Sequence, residues 1–160
     1  MLGARVRRAD PSQSTPPPGP PHGATDAIAW GVVSVATGLR GEAKLVVTEA
    51  DTAIALGSGT VPVLGTPRLI ALCEEATCRA IAGELPTGST TVGINVRLDH
   101  LQPSAVGAEV IGEAVLVKVD GRRLTFTVLA SDERGLVAVG KVVRVVVDVE
   151  RFMTKCGRSA

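Results

Sequence analysis

Hydrophobic and polar residues follow regular periods from about Glu42 onward, and the pattern predicts five strands and one long helix. The predicted strands are residues 43–48, 89–101, 106–119, 122–131 and 136–149. Between the first strand and the long helix, Ala50–Leu56 fits a short helix, Gly57-Ser58-Gly59 a flexible loop and Val61–Leu64 a short extended segment. The predicted order of the main elements is β-α-β-β-β-β.

The long helix is predicted for the segment GTPRLIALCEEATCRAIAG, residues 65–83. Thr66 followed by Pro67 is typical of a helix start, with Thr66 as the N-cap, and Gly83 is a suitable stop. The opposite, charged face carries Glu75 and Arg79 at the spacing of a solvent-exposed ion pair. The apolar face is formed by Leu69, Ile70, Cys73, Ala76, Thr77, Ala80 and Ile81.

The strands after this helix are predicted to pair as hairpins. Asp120-Gly121 is a two-residue turn signal, and a loop containing Asp132 and Gly135 leads to a Val-rich last strand. Two rows of alternate residues are predicted to point inward: Val92, Ile94, Val96, Leu98 and His100 in one strand, and Leu124, Phe126, Val128 and Ala130 in another. Long hairpin-connected strands with one apolar helix predict an α+β fold, with an antiparallel sheet packed on that helix.

The first 26 residues differ from the rest because they are rich in Pro, Ser and Gly, which favours extended, solvated backbone. We expect a disordered tail over residues 1–37, one globular domain over residues 38–156 and a short tail over residues 157–160. Alternatively, translation begins further in and the tail is an upstream artefact. Detecting a peptide from residues 1–20 in the native protein would exclude that alternative.

Composition and charge narrow the classes of function. With 17 basic and 16 acidic residues the net charge is +1, and three aromatic residues offer few stacking platforms, so no nucleic-acid partner is expected. No apolar run reaches the ~18 residues of a membrane span, so no membrane partner is expected either. The basic start lacks the apolar stretch of a secretory signal. Three cysteines without paired spacing indicate reduced thiols in a cytoplasmic protein, with no metal or other cofactor.

Two polar residues stand where the pattern turns inward. Glu74 lies at the edge of the helix's apolar face, and burying a carboxylate is costly. His100 ends the inward row of its strand, a position that often lines a pocket. The structural alternatives are a boundary glutamate that reaches water and a hydrogen-bonded histidine at the rim of the core.

Thr66 and Gly93 also admit two interpretations. Helix capping explains Thr66, but a helix N-terminus also offers free N–H groups and a positive dipole end. Those features can hold a thioester carbonyl and stabilise an oxyanion. Gly93 indicates either a bulge in its strand or the close approach of a ligand to the backbone.

In combination these residues resemble the thioesterase group that includes fluoroacetyl-CoA thioesterase. The shared pattern is a Thr-Pro helix start, a Glu eight residues after the Thr, then TTVG, HLQP, VDGRRLTFTVLASDERGLVAVGKVVR and a closing RFMTK. The resemblance runs from about Glu42 to Lys155. It implies a hotdog fold, in which a five-stranded antiparallel sheet wraps around one long central helix. It also implies hydrolysis of a small acyl-CoA thioester to free acid and CoA.

By this resemblance, Thr66, Glu74 and His100 are the expected catalytic residues, with Glu74 and His100 providing general-base and general-acid functions. The expected partner is an acyl-CoA substrate. Two protomers are expected to form a homodimer with a continuous sheet and with sites at the interface, and the Val-rich last strand suits such burial.

The expected substrate-binding residues are Gly93, Arg144 and Gly59. Gly93 matches a family glycine beside the thioester, and Arg144 matches a family arginine near the site. The loop Gly57–Thr60 stands where the fluoroacetyl-specific enzyme has phenylalanines over its substrate, so fluoroacetyl specificity is not expected here. The alternatives are a non-catalytic acyl-CoA-binding module and, ranked lower, a hydratase or dehydratase on the same fold.

Overall fold

The computed structural model describes residues 35–157, which form a five-stranded antiparallel sheet, one long helix and one short helix. The strands are β1 (Arg40–Val46), β2 (Ser89–His100), β3 (Glu109–Asp120), β4 (Arg123–Asp132) and β5 (Gly135–Asp148). The helices are α1 (Thr66–Ala80) and α2 (Val149–Lys155). The predicted element order and α+β class are confirmed, whereas α2 has no counterpart in the sequence prediction.

The predicted N-terminal tail lies outside the described residues as far as residue 34, and so do residues 158–160. Val35, at the start of the described part, is buried in the core. Within the described part, no helix is long and apolar enough to cross a membrane.

The sheet has the strand order β1-β3-β4-β5-β2, so β1 and β2 form its two edges. The predicted hairpin between β3 and β4 is confirmed, but Asp120 pairs with Arg123, so the two-residue loop is Gly121-Arg122, one position later than predicted. Gly121 has a φ of 56°, a left-handed conformation that glycine adopts without strain. β4 and β5 form the second hairpin, in which Asp132 pairs with Gly135.

The core lies between α1 and the inner face of the sheet. α1 contacts all five strands because the sheet curls around it, and the buried part of the helix is therefore wider than one predicted face. Leu72, absent from the predicted face, is fully buried against Gly112 of β3, whereas Ile70 is half-buried. The inward row predicted for β4 is confirmed, since all four members are buried: Leu124, Phe126, Val128 and Ala130.

The segment between β1 and α1 is less regular than predicted. The short helix expected over Ala50–Leu56 is wrong; the chain makes a single 3₁₀ turn, Glu49–Asp51, followed by turns. The carboxylate of Asp51 accepts hydrogen bonds from the backbone N–H and the hydroxyl of Thr48, which closes this turn early. Gly57, with a φ of 66°, then reverses the chain.

β2 contains a bulge that the alternating pattern did not predict. On β2 the pairing steps from Gly93 to Asn95, while on β5 it steps from Arg144 to Val143. Ile94 is therefore an extra residue, and its side chain is 47% exposed. A bulge of this kind shifts the alternation of side chains by one position.

The bulge divides β2 into two stretches: odd-numbered residues face α1 before the bulge, and even-numbered residues face α1 after it. Before it, Thr91 and Gly93 face α1. After it, the residues on that face are Val96, Leu98 and His100. The prediction that Val92 and Ile94 share the inward face is therefore wrong, and the interpretation of Gly93 as part of a bulge is confirmed.

Candidate functional site

The N-terminus of α1 holds Thr66 beside the last residue of β2. The Oγ1 of Thr66 lies 3.0 Å from the Nδ1 of His100. The N-cap position belongs to Gly65, whose backbone N–H donates to Asp51, so the prediction of Thr66 as N-cap is wrong. Gly65 is buried, and a Cβ there would come within 3.2 Å of the Ala53 backbone and 2.9 Å of the Leu56 side chain, so glycine fits this position best. The hydroxyl of Thr66, free of a capping role, is available to His100.

His100 presents its second ring nitrogen without a partner. Nε2 is buried and makes no hydrogen bond with any residue between 35 and 157. A buried polar atom in this condition lowers stability, and such atoms are common where a ligand supplies the missing bond. A surface pocket of about 220 Å³ lies at this point, lined by Val63, His100, Leu101, Gln102 and Pro103.

Glu74, two turns further along α1, pairs with a buried arginine. The Nη1 of Arg144 lies 3.2 Å from the Oε1 of Glu74, and the arginine is 6% exposed. Arg144 also donates from Nε to the hydroxyl of Thr91 at 2.9 Å and from Nη2 to the Thr91 carbonyl at 3.0 Å. Its Nη1 is 3.5 Å from the hydroxyl of Thr77. These partners compensate the burial of the guanidinium and fix its position.

Gly93 lies directly beneath the Glu74 carboxylate. A Cβ on Gly93 would overlap Oε1 of Glu74, although the φ of Gly93 is not in the left-handed region. The glycine leaves space for the Glu74 carboxylate in its present position, and its backbone conformation is open to other residues. The group that approaches this backbone among the described residues is the carboxylate of Glu74, and the approach of a ligand stays a prediction.

The expected site residues thus form two clusters in one chain. Thr66 meets His100, and Glu74 meets Gly93 and Arg144. Thr66 and Glu74 are eight residues apart on α1, which corresponds to about 12 Å along the helix axis. The second cluster adjoins a pocket of about 340 Å³ whose lining includes Thr91.

Gly59, the third expected binding residue, lies in neither of these two clusters. A side chain at Gly59 would meet the Cβ of Ala53 at 3.3 Å, within the same loop.

Two residues of the second cluster were missed by sequence reasoning. Thr91 was not singled out, and Thr77 was placed on the helix face without a role. A signal for them exists, because Arg144 interrupts a Val-rich strand and a buried arginine needs acceptors. Threonines on the neighbouring elements are the acceptors that the fold supplies.

Cys73 precedes Glu74 on α1 but does not belong to the site. Its side chain is fully buried among the core residues, and burial raises the pKa of the thiol to about 11. The thiol therefore stays protonated near neutral pH and is a poor nucleophile.

Known proteins resemble this chain in sequence and in fold. A family model described as fluoroacetyl-CoA-specific thioesterase matches residues 47–150. The fluoroacetyl-CoA thioesterase of Streptantibioticus cattleyicolor is 32% identical over 93 residues, which are 58% of this chain and 67% of that protein. A solved structure of fluoroacetyl-CoA thioesterase superposes with a TM-score of 0.73 at 28% identity, over 77% of this chain and 96% of that one.

A hot-dog-like protein from Thermanaerovibrio acidaminovorans superposes with a TM-score of 0.69 at 22% identity, over 76% of this chain and 90% of that one. At this identity the similarity shows the fold alone. Together with the curled five-stranded sheet around α1, it confirms the predicted hotdog fold.

Proposed function

The chain belongs to the fluoroacetyl-CoA-specific thioesterase family, and we propose that it hydrolyses a small acyl-CoA thioester to a free acid and CoA. The observation that carries the proposal is the contact of Thr66 with His100 at the N-terminus of α1. The hydroxyl and the backbone N–H of Thr66 and the imidazole of His100 are there within reach of one thioester carbonyl. The adjoining pocket of about 220 Å³ suits a small acyl group.

In the proposed reaction, the backbone N–H of Thr66 and the positive end of the α1 dipole polarise the thioester carbonyl, and the hydroxyl of Thr66 orients the acyl group. Water adds to the carbonyl carbon, the C–S bond breaks, and CoA leaves as the thiol. Glu74 takes the proton from the water, and His100 supplies a proton to the sulfur. Gly93 and Arg144 fix the position of Glu74, and we assign them, with Gly59 of the loop before α1, to the walls of the substrate site.

We infer that one complete site is assembled from two subunits of a homodimer. Within one chain the two clusters stand apart, with His100 at one end of β2 and Gly93 nearer the other. β2 is an edge strand and exposes Ile94. Antiparallel pairing of two β2 strands around a two-fold axis between these positions brings the Gly93 end of one strand beside the His100 end of the other. Glu74 then serves the Thr66–His100 pair of the partner subunit.

A thiol-release assay across short, branched and aromatic acyl-CoAs tests the hydrolysis. Glu74→Gln and His100→Ala should each lose most of the turnover while remaining folded dimers by light scattering. Glu75→Gln is the matched control, because Glu75 is the adjacent carboxylate and pairs with Arg79 on the surface. Thiol release by neither the wild type nor any variant, with acyl-CoA still bound, would establish a binding module instead.

Mixed dimers test the assembly of the site from two subunits. Refolding Glu74→Gln subunits together with His100→Ala subunits gives heterodimers in which one of the two sites is intact. The mixture should recover about a quarter of the wild-type rate, since half of the dimers are mixed and each holds one complete site. No recovery would place both residues in the site of a single chain, and a monomeric wild type would contradict the dimer itself.

We also assign the protein to the cytoplasm. The three cysteines, Cys73, Cys78 and Cys156, are unpaired, which suits a reducing compartment. Detection of the native protein in a secreted fraction would contradict this assignment.

A further inference from the structure

Ser104 connects the two chain segments that carry Thr66 and His100. It is fully buried in the stretch between β2 and β3. Its carbonyl accepts a hydrogen bond of 2.9 Å from the backbone N–H of Leu64, two residues before Thr66. The neighbouring residues Val63 and Ala105 form an isolated β-bridge. The segment that enters α1 is thus attached to the segment that leaves β2.

A carboxylate from the β4–β5 hairpin holds Ser104 from the other side. The hydroxyl of Ser104 donates to Oδ2 of Asp132 at 2.9 Å, and the Asp132 side chain is 1% exposed. Arg134 donates to the same carboxylate from its backbone N–H at 2.9 Å and from its Nη2 at 3.1 Å. That Nη2 also donates to the carbonyl of Pro103. Ser104, Asp132 and Arg134 are called the Ser104–Asp132 clamp below.

Packing around this stretch is sparse, because residues 101–103 and 105–107, on either side of the buried Ser104, are exposed. A surface pocket of about 520 Å³ lies beside this stretch; residues 107–109 and 131–133 form most of its lining, which contains none of the expected site residues. Fewer side chains therefore press the stretch against the body of the protein, and hydrogen bonds set its position. On the other side, the backbone N–H groups of Leu101 and Gln102 donate to the carbonyl of Val137 at 2.8 and 3.4 Å.

We propose that the Ser104–Asp132 clamp is a positioning device that holds the Thr66 hydroxyl and the His100 imidazole at hydrogen-bonding distance. The clamp touches neither residue. It acts through Leu64 on the segment that leads to Thr66, and through the stretch after β2 on His100. The proposal rests on the hydrolase function proposed above, and it adds Ser104 and Asp132 to the residues on which that function depends.

Ser104→Ala and Asp132→Asn test the clamp, with Ser131→Ala as the matched control. Ser131 neighbours Asp132 on β4 and takes no part in the hydrogen bonds of the clamp. Small displacements of reacting groups lower rates steeply, so each clamp variant should lose about tenfold to a hundredfold in kcat with KM changed less than about twofold. The control should keep both constants. The double variant should be no slower than the worse single variant, because both changes break the same link.

Histidine ¹⁵N NMR reports the ring tautomer of His100, which a loss of stability alone would not change. The chain has two histidines, so a His22→Gln background leaves His100 as the one imidazole. We expect one ring tautomer when Thr66 is held against Nδ1, and a mixture of tautomers in the clamp variants. Arg134→Gln, which changes a half-exposed side chain, replaces Ser104→Ala if the latter does not fold.

Unchanged kcat and an unchanged tautomer in folded clamp variants would overturn the proposal. Failure of the hydrolase function has a different signature, because the wild type would then release no thiol. In that case the tautomer comparison still decides whether the clamp positions His100.

Discussion

Gly93→Ala is the sharpest test of the Glu74 cluster, because it adds one methyl group at one contact. The new Cβ would overlap Oε1 of Glu74, while the backbone of Gly93 tolerates alanine. Since the glutamate side chain is the flexible partner, it turns away and gives up the hydrogen bond from Arg144. The expected result is a folded protein whose carboxylate is misplaced.

The effect on stability should be small. Loss of a charge-assisted hydrogen bond costs about 1.5–3 kcal/mol when the partner is left unpaired. Glu74 is 34% exposed and Arg144 keeps Thr91 and Thr77, so the low end of that range applies. Replacing glycine by alanine at a compatible backbone position restores about 0.4–1 kcal/mol through the unfolded chain. The net destabilisation should therefore stay near 1 kcal/mol.

The effect on the reaction should be much larger. General acid–base groups contribute roughly a hundredfold or more, so kcat/KM for the best acyl-CoA should fall about a hundredfold in Gly93→Ala. Thiol release measures the rate, and thermal unfolding measures stability. In a Glu74→Gln background the same change should alter kcat/KM less than about threefold, because the group it displaces has already lost its function. An equal loss in both backgrounds, or no loss in the first, would refute the role of Gly93 in positioning Glu74.

Three further predictions concern other sites. Thr66→Val should abolish most thiol release with little change in melting temperature, because Thr66 caps nothing, whereas Thr66→Ser should keep activity. Although burial opposes it, hydrogen bonds lower the pKa of Asp132, so its contribution to stability is complete above the ordinary value of 3.8 and is lost as the pH falls through the lower folded value. Asp132→Asn should therefore be less stable than the wild type at pH 7 and lose less on acidification, measured by urea unfolding. A thiol reagent should modify Cys78 and Cys156 in the native protein and Cys73 only after unfolding, counted by mass.

Periodicity predicted those parts of the fold in which the backbone stays regular. The inward row of β4 followed from simple alternation because β4 has no extra residue between Leu124 and Ala130; the register shift opposite this stretch adds Val117 to β3 instead. The same reasoning failed in β2, since alternation carries no information about an extra residue such as Ile94. α1 was predicted within a few residues, but its N-cap was wrongly predicted as Thr66, because the tertiary contacts that place Gly65 in the N-cap position are not visible in the sequence.

The candidate site likewise contains some residues that the sequence pattern indicates and others that only the structure brings together. Glu74 and His100 stood out because each is polar where its element turns inward, whereas Arg144 was assigned by resemblance. The hydrogen bonds from Arg144 to its threonines and from Ser104 to Asp132 join residues that are 28 to 67 positions apart in the sequence. Neither helical nor strand periodicity relates residues at such separations, and the structure is needed to bring them together.

The bulge in β2 also determines which changes this strand can accept. Gly93 and His100 are seven positions apart, an odd interval, yet both face α1; in a regular strand an odd interval puts two residues on opposite sides. Ile94 therefore shifts the alternation of side chains by one position for the rest of the strand. Replacing its side chain leaves this alternation unchanged, but deleting the residue turns either the glycine or the histidine away from the helix. The number of residues between these two positions is thus as much a part of the site as their identities.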